Sequence, residues 1–259
     1  MSRLRAGALA PAQKPMTAAL VLGLVIGVFS LIGLTATKAD AAVPPKPTVG
    51  TCYNYGWTAY GAWSQTGKKV SCSSAHTAKT IALGTLVAGT TRTEASITRE
   101  ANWAPMVKTC IRALRSKLGS TYSKRTQSAY NTAIFVPNVE QFKAGQRWFR
   151  CDVVLPGKSS LKNLPTNRAK FLEGVALTQR TRACMSSTFA EGPYSCLSSH
   201  TYKAFSTFKK AGTTYPTQAA FERAVALNCP ARNRAYSTPS RYEWQTGDHW
   251  VGCYERNTN

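Results

Sequence analysis

The chain has 259 residues, 43% of them hydrophobic, and carries 33 Lys and Arg against 11 Asp and Glu for a net charge of +22. That length allows one large or two small domains with real cores and no more. So strong a positive charge favours polyanionic partners over an anionic small substrate bound singly.

Residues 1–41 read as a targeting segment. Arg3, Arg5 and Lys14 precede an uncharged, mostly apolar run over 17–37, and Ala39-Asp40-Ala41 offers a small-x-small cleavage site. A cleaved signal peptide and an N-terminal membrane anchor are both open. Either way the positive charges come first, which puts the body of the protein outside the cytoplasm, secreted or anchored to the membrane. Residues 42–49, with Pro44, Pro45 and Pro47, form a proline-rich linker.

From residue 50 the pattern predicts short strands around 51–55 and 69–72 joined by a glycine-containing loop, then a weakly alternating strand over 77–87. Trp103, Met106, Val107, Cys110, Ile111, Leu114 and Leu118 recur at three and four, and predict a helix that begins near Trp103 because of Pro105 and stops at Gly119. Residues 148–155 give the clearest strand. Residues 158–166 are a connecting loop. Residues 167–184 suggest a helix with a cationic end, 201–210 a helix or an edge strand, and 217–228 a helix capped by Thr217 with Phe221, Val225 and Leu227 as its core side.

A duplication runs through this order. Pro137, Phe142, Gly145, Trp148 and Cys151 are repeated at identical spacing as Pro239, Trp244, Gly247, Trp250 and Cys253. Cys72, His76 and Lys79 are repeated as Cys196, His200 and Lys203. The expected architecture is α+β: two tandem disulfide-braced repeats, residues 50–157 and 167–254, each a small antiparallel sheet packed with a helix, before a tail at 255–259. All eight cysteines fall in the repeats, four in each, and an oxidising compartment suits disulfides. Keeping bridges within a repeat cuts the possible pairings roughly tenfold. The preferred set is Cys52–Cys72, Cys110–Cys151, Cys184–Cys196 and Cys229–Cys253.

No catalytic signature is present, and no metal or cofactor is expected: the even cysteine count argues against zinc at the two Cys-x3-His pairs. Glu94, Glu100, Glu140, Asp152, Glu173 and Glu243 follow no pairing rule for glycoside hydrolysis and read as solvent-facing partners of nearby cations. Candidate binding residues are the aromatics Trp57 and Trp63, the repeated His76, His200, Lys79 and Lys203, and a basic helix stripe of Lys108, Arg112, Arg115 and Lys117.

Gly50-Thr51-Cys52-Tyr53, Val70-Ser71-Cys72 with His76, a helical Cys110 and the closing Gly-x2-Trp-x2-Cys resemble the septum-formation-related domain of secreted or membrane-anchored actinobacterial proteins. In that family a Pro commonly precedes the His and an acid follows it; here Ala75 and Ser199, then Lys79 and Lys203, stand in those places. The resemblance implies an envelope or cell-division role and adds no catalytic residue. The expectation is therefore a non-enzymatic extracytoplasmic interaction module linked to septum formation or the cell-wall surface. Its expected partners are an anionic envelope polymer, a lipid surface, or division and envelope proteins, with no specific nucleic acid. A cell-wall polymer hydrolase and a cationic secreted effector of membranes are the alternatives.

Overall fold

The computed structural model describes residues 43–65, 67–230 and 235–257. The expected signal peptide or anchor lies outside them. The first sheet contains β1 (Cys52–Tyr53), β2 (Lys69–Val70), β3 (Ala78–Thr85), β4 (Asn131–Phe135) and β5 (Trp148–Pro156), in spatial order β2-β1-β3-β5-β4, with β6 (Leu161–Lys162) paired to β5. The second contains β7 (Ala183–Met185), β8 (Tyr194–Ser195), β9 (Tyr202–Lys209), β10 (Ala235–Ser237) and β11 (Trp250–Arg256), in order β10-β11-β9-β7-β8. Read from the opposite edge, this is the order of the first sheet strand for strand. The fold is α+β, and every strand pair is antiparallel.

The helices are α1 (Trp57–Tyr60), α2 (Glu94–Thr98), α3 (Glu100–Leu118), α4 (Tyr122–Thr126), α5 (Val139–Lys143), α6 (Gln218–Asn228) and α7 (Arg241–Gln245). Strand side chains alternate between faces, so on β5 Phe149, Cys151, Val153 and Leu155 point one way. There they pack with Met106, Cys110 and Leu118 of α3. On β11 Val251 and Cys253 meet Phe221, Val225 and Cys229 at α6 in the same manner. The four disulfides are Cys52–Cys72, Cys110–Cys151, Cys184–Cys196 and Cys229–Cys253, the pairing preferred from the sequence. In each unit one bridge fastens a strand to the long helix, on the face away from the preceding Trp.

The duplicated motif has a mechanical meaning. After Pro137 and Pro239, Asn138 and Ser240 each cap a short helix with a full capping box, completed by Gln141 in α5 and Glu243 in α7. Gly145 and Gly247 then take positive φ, 81° and 87°, to turn the chain into the Trp-bearing strand. Residues 139–143 are thus helical, and the strand begins only at Trp148.

Four expectations are corrected. The helix α3 starts at Glu100, upstream of Pro105; Ala101 and Pro105 lie on its exposed side, so the hydrogen bond that proline removes is lost where solvent can replace it. Residues 167–182 form turns, because their donors serve another element: Phe171 and Leu172 N–H bond to the carbonyls of Lys117 and Leu118 at the end of α3. Residues 202–209 are the central strand β9 of the second sheet, neither helix nor edge. Their three-residue aromatic spacing reflects a bulge: Tyr254 pairs with Ala204 and Cys253 with Ser206, leaving Phe205 over. The first sheet skips Ile81 at the matching place, between Thr80 and Ala82. Finally, Leu227 is 85% exposed, on the side of α6 opposite Phe221 and Val225.

One cross-strand exchange shows how the two sheets fill the same volume. Gly84 faces Phe149 in the first sheet, and Phe208 faces Val251 in the second. A Cβ on Gly84 would come within 2.2 Å of the Phe149 ring. Gly84→Ala is therefore expected to destabilise by about 1–3 kcal/mol. Adding Phe149→Val is expected to relieve the clash in a denaturant titration, so that the double variant loses less than the sum of the singles.

The sheets also share a part. On the faces turned away from α3 and α6, the first sheet is covered by its own residues Tyr55, Ala59 and Tyr60, whereas α4 lies across β9 and β11 of the second. The contact is close: a Cβ on Gly252 would be 3.4 Å from Thr126, and Ser123 hydrogen-bonds Thr207 at 2.6 Å. Behind α4, Ala129 N–H bonds to the Thr181 carbonyl and Ala183 N–H to the Gln127 carbonyl.

Candidate functional site

The residues singled out from the sequence do not converge. Trp57 packs on Tyr60 in α1, with ring centroids 5.2 Å apart, and Trp63 meets Trp103 edge to face at 5.8 Å. Trp148 is buried and Trp250 half-buried. His76 is buried and donates from Nδ1 to the Ser74 carbonyl at 2.8 Å; His200 repeats this to the Ser198 carbonyl at 2.9 Å. A carbonyl only accepts, so both rings carry their proton on Nδ1. Cys184, Cys196 and His200 bring candidate ligand atoms within 4.8 Å of one another. The two sulfurs are bonded to each other, however, and neither supplies a thiolate.

The helix stripe divides. Lys108 is half-buried and Arg112 exposed, while Arg115 turns onto the second unit. It donates to the carbonyls of Thr246, at 2.6 Å, and Glu243, at 3.2 Å, and pairs with Asp248 at 3.6 Å. A guanidinium at the end of α7 suits the carbonyls exposed there. Tyr242 donates to Glu100 at 2.6 Å beside it. Lys203 pairs with Glu255 at 3.6 Å, and Lys79 lies half-buried on β3.

What sequence reasoning missed is a polar cluster inside the first sheet. Trp148, Arg150, Asp152 and Val154 share the face of β5 opposite α3. Arg150 is 2% exposed and Asp152 is fully buried, with 3.2 Å between guanidinium and carboxylate. Thr80 donates to Asp152 at 2.7 Å and Tyr55 at 3.2 Å, while Arg150 also donates to Gln65. The guanidinium lies 4.3 Å from the centroid of Tyr53 and 4.9 Å from that of Phe135, so two π faces take part of its charge. Asp152 is therefore not a solvent-facing partner. Nor is Glu243, which is half-buried and accepts from Ser240 N at 2.6 Å to close its capping box.

Burial pushes the Asp152 carboxyl above its ordinary value, against the pull of Arg150 and the hydroxyls of Thr80 and Tyr55. A carboxyl held above its unfolded value stabilises the fold while protonated, and that contribution fades as pH rises through the raised value. Ionisation of Asp152 is thus a burden on the fold. The second sheet carries none of it: Ala204 stands opposite Tyr254 where Thr80 faces Asp152, and Gly252 occupies the place of Arg150. Sheet geometry does not demand the cluster. Arg150 and Asp152, opposite charges two apart on an otherwise apolar strand and matched by Gly252 and Tyr254 in the second copy, were the signal for it.

Two like sheets, each fastened to a helix by a buried disulfide, define a disulfide-braced α+β protein of duplicated plan. The chain belongs to the septum formation family, whose model matches residues 49–238, from the residue before Gly50 through β10. That one span takes in the first sheet and every strand of the second but β11. No curated protein and no solved structure shows significant similarity. Family membership points to an envelope or division-related role, and the four disulfides are consistent with a place outside the cytoplasm. Among the described residues, no helix is long and apolar enough to cross a membrane.

Proposed function

We propose that the protein is a non-enzymatic envelope module that holds an anionic polymer of the cell surface during septum formation. The observation that carries this reading is how the charges are spent. Against 33 Lys and Arg stand 11 acids, and several acids turn inward: Asp152 is buried, Glu243 closes a helix cap and Asp248 is tied to Arg115. Many cations are satisfied by backbone carbonyls instead. Lys124 donates to Leu172, Arg147 to Phe142, Arg182 to Ala204 and Arg92 to Pro137, each at 2.8 or 2.9 Å. A carbonyl completes the hydrogen bond without cancelling the charge, so the field stays positive outside the protein.

The test is incubation of the full-length protein with isolated cell wall. Cosedimentation that falls steeply between about 50 and 500 mM salt is expected, since screening shortens the reach of surface charges, with no soluble fragments released. Release of fragments would replace this reading by that of a wall hydrolase. Leakage of vesicles at low protein concentration would favour an effector of membranes.

A further inference from the structure

The buried hydroxyl of Tyr130 is a donor and acceptor with nothing to bond. Its residue is 7% exposed, its ring packs 5.3 Å from that of Phe171, and the oxygen has no hydrogen-bond partner among the described residues. Such a group destabilises the fold, because its desolvation is not offset by a hydrogen bond. Its surroundings are cationic. Lys117 stands 4.6 Å over the Phe171 ring and donates two of its three N–H groups to the carbonyls of Arg168, at 2.8 Å, and Ala169, at 2.6 Å. The fields of Arg168 and Arg180 act on the Tyr130 hydroxyl, and Arg180 reaches over to the Asn163 carbonyl at 3.4 Å. Lys79, on the α3-facing side of β3, adds its charge to that of Lys117. Burial first, and then Lys79, brings Lys117 down to about 8.

No carboxylate balances these groups. The four ion pairs of the described residues involve other cations, and Glu173, on the same segment, is paired with Lys170 at 3.3 Å. The cluster is also graded, from the exposed Arg168 and Arg180 through the half-buried Lys79 and Lys117 to the buried phenol. Several N–H donors on different elements and one O–H suit a compact, multivalent oxyanion better than a planar carboxylate, with Lys acting as a point charge and Arg as a fork.

We propose that Tyr130, Lys117, Lys79, Arg168 and Arg180 form a binding site for one phosphate-type oxyanion. The site names where the anionic partner proposed above is gripped, and so rests on that reading. Phosphate in a wall polymer and phosphate in a lipid headgroup offer the same chemistry.

The test uses equilibrium dialysis of the full-length protein against radiolabelled inorganic phosphate. Saturable binding at one site is expected, weakened about tenfold by Tyr130→Phe, as befits one charge-assisted hydrogen bond, and more by Lys117→Gln. Lys108→Gln and Arg112→Gln, farther along α3, are expected to leave it unchanged. Tyr130→Phe removes an unpaired polar atom from a packed ring, so its melting temperature in phosphate-free buffer should equal or exceed that of the parent. Phosphate should then raise the melting temperature of the parent more than that of Tyr130→Phe.

Unaltered phosphate affinity in Tyr130→Phe overturns the site, as does equal weakening by Lys108→Gln, which would mean diffuse attraction. Wall cosedimentation without phosphate binding also overturns the site and leaves the envelope reading standing. Phosphate binding without cosedimentation does the reverse. Poly(glycerol phosphate) and phosphatidylglycerol vesicles then distinguish the sources: the one that Tyr130→Phe releases carries the phosphate that the site holds.

Discussion

Asp152→Ala is expected to destabilise the protein by about 3–5 kcal/mol, because it strands the Arg150 guanidinium in the sheet with no counter-charge. For a chain of this size that lowers the melting temperature by roughly 6–20 °C. The informative comparison is a fourfold variant, Arg150→Met with Asp152→Leu, Tyr55→Phe and Thr80→Val, which withdraws the charges and the two hydroxyls that bond to them. It should return to within about 1–2 kcal/mol of the parent, since apolar replacement of a buried pair is often neutral or better. The second sheet already builds the matching positions with Ala204, Gly252 and Tyr254. Should the fourfold variant melt as low as Asp152→Ala, the cluster would be a requirement of this sheet and no dispensable addition to it.

Loss of the disulfides is expected to follow the length of chain they close. The Cys110–Cys151 bridge spans 41 residues and Cys184–Cys196 spans 12. In the loop-entropy account, replacing both cysteines by Ala costs about 4 kcal/mol for the first and about 3 kcal/mol for the second. Both bridges are buried, Cys110 and Cys151 at 0% and Cys184 and Cys196 at 0% and 7% exposed, so lost core volume adds to both costs and the gap between them is that of the loops. Urea titrations of the two double variants measure this directly. A larger loss from the shorter loop would mean that the bridges act chiefly on the native state.

Much of this organisation was legible because the motif spacing is a direct image of local geometry. Proline, cap, helical turn, left-handed glycine and strand each take a fixed number of residues, so the second copy had to reproduce the first at Gly247, Trp250 and Cys253. Trp-x2-Cys was legible too: an odd offset on a strand puts Trp148 and Cys151 on opposite faces, and the bridge forms on the helix side. What misled was parity and competition. A single leftover residue at Phe205 turns a strand into something that mimics the helical period. Residues 167–182 have helical spacing, but their donors are claimed by the end of α3, and no local pattern announces that. The site proposed at Tyr130 draws on β3, α3 and the 163–181 segment, so only the fold assembles it. Of its members, only Lys79 and Lys117 stood out beforehand as candidate binding residues.

The position of α4 reaches beyond packing. Residues 122–126 are written in the first half of the chain and roof the second sheet, where Thr126 rests on Gly252. The second half alone would leave its sheet bare, whereas the first carries its own cover, so dependence runs one way, from the second sheet to a helix written before it. The two sheets are alike in plan but unequal in autonomy, because one short helix serves the sheet that did not supply it.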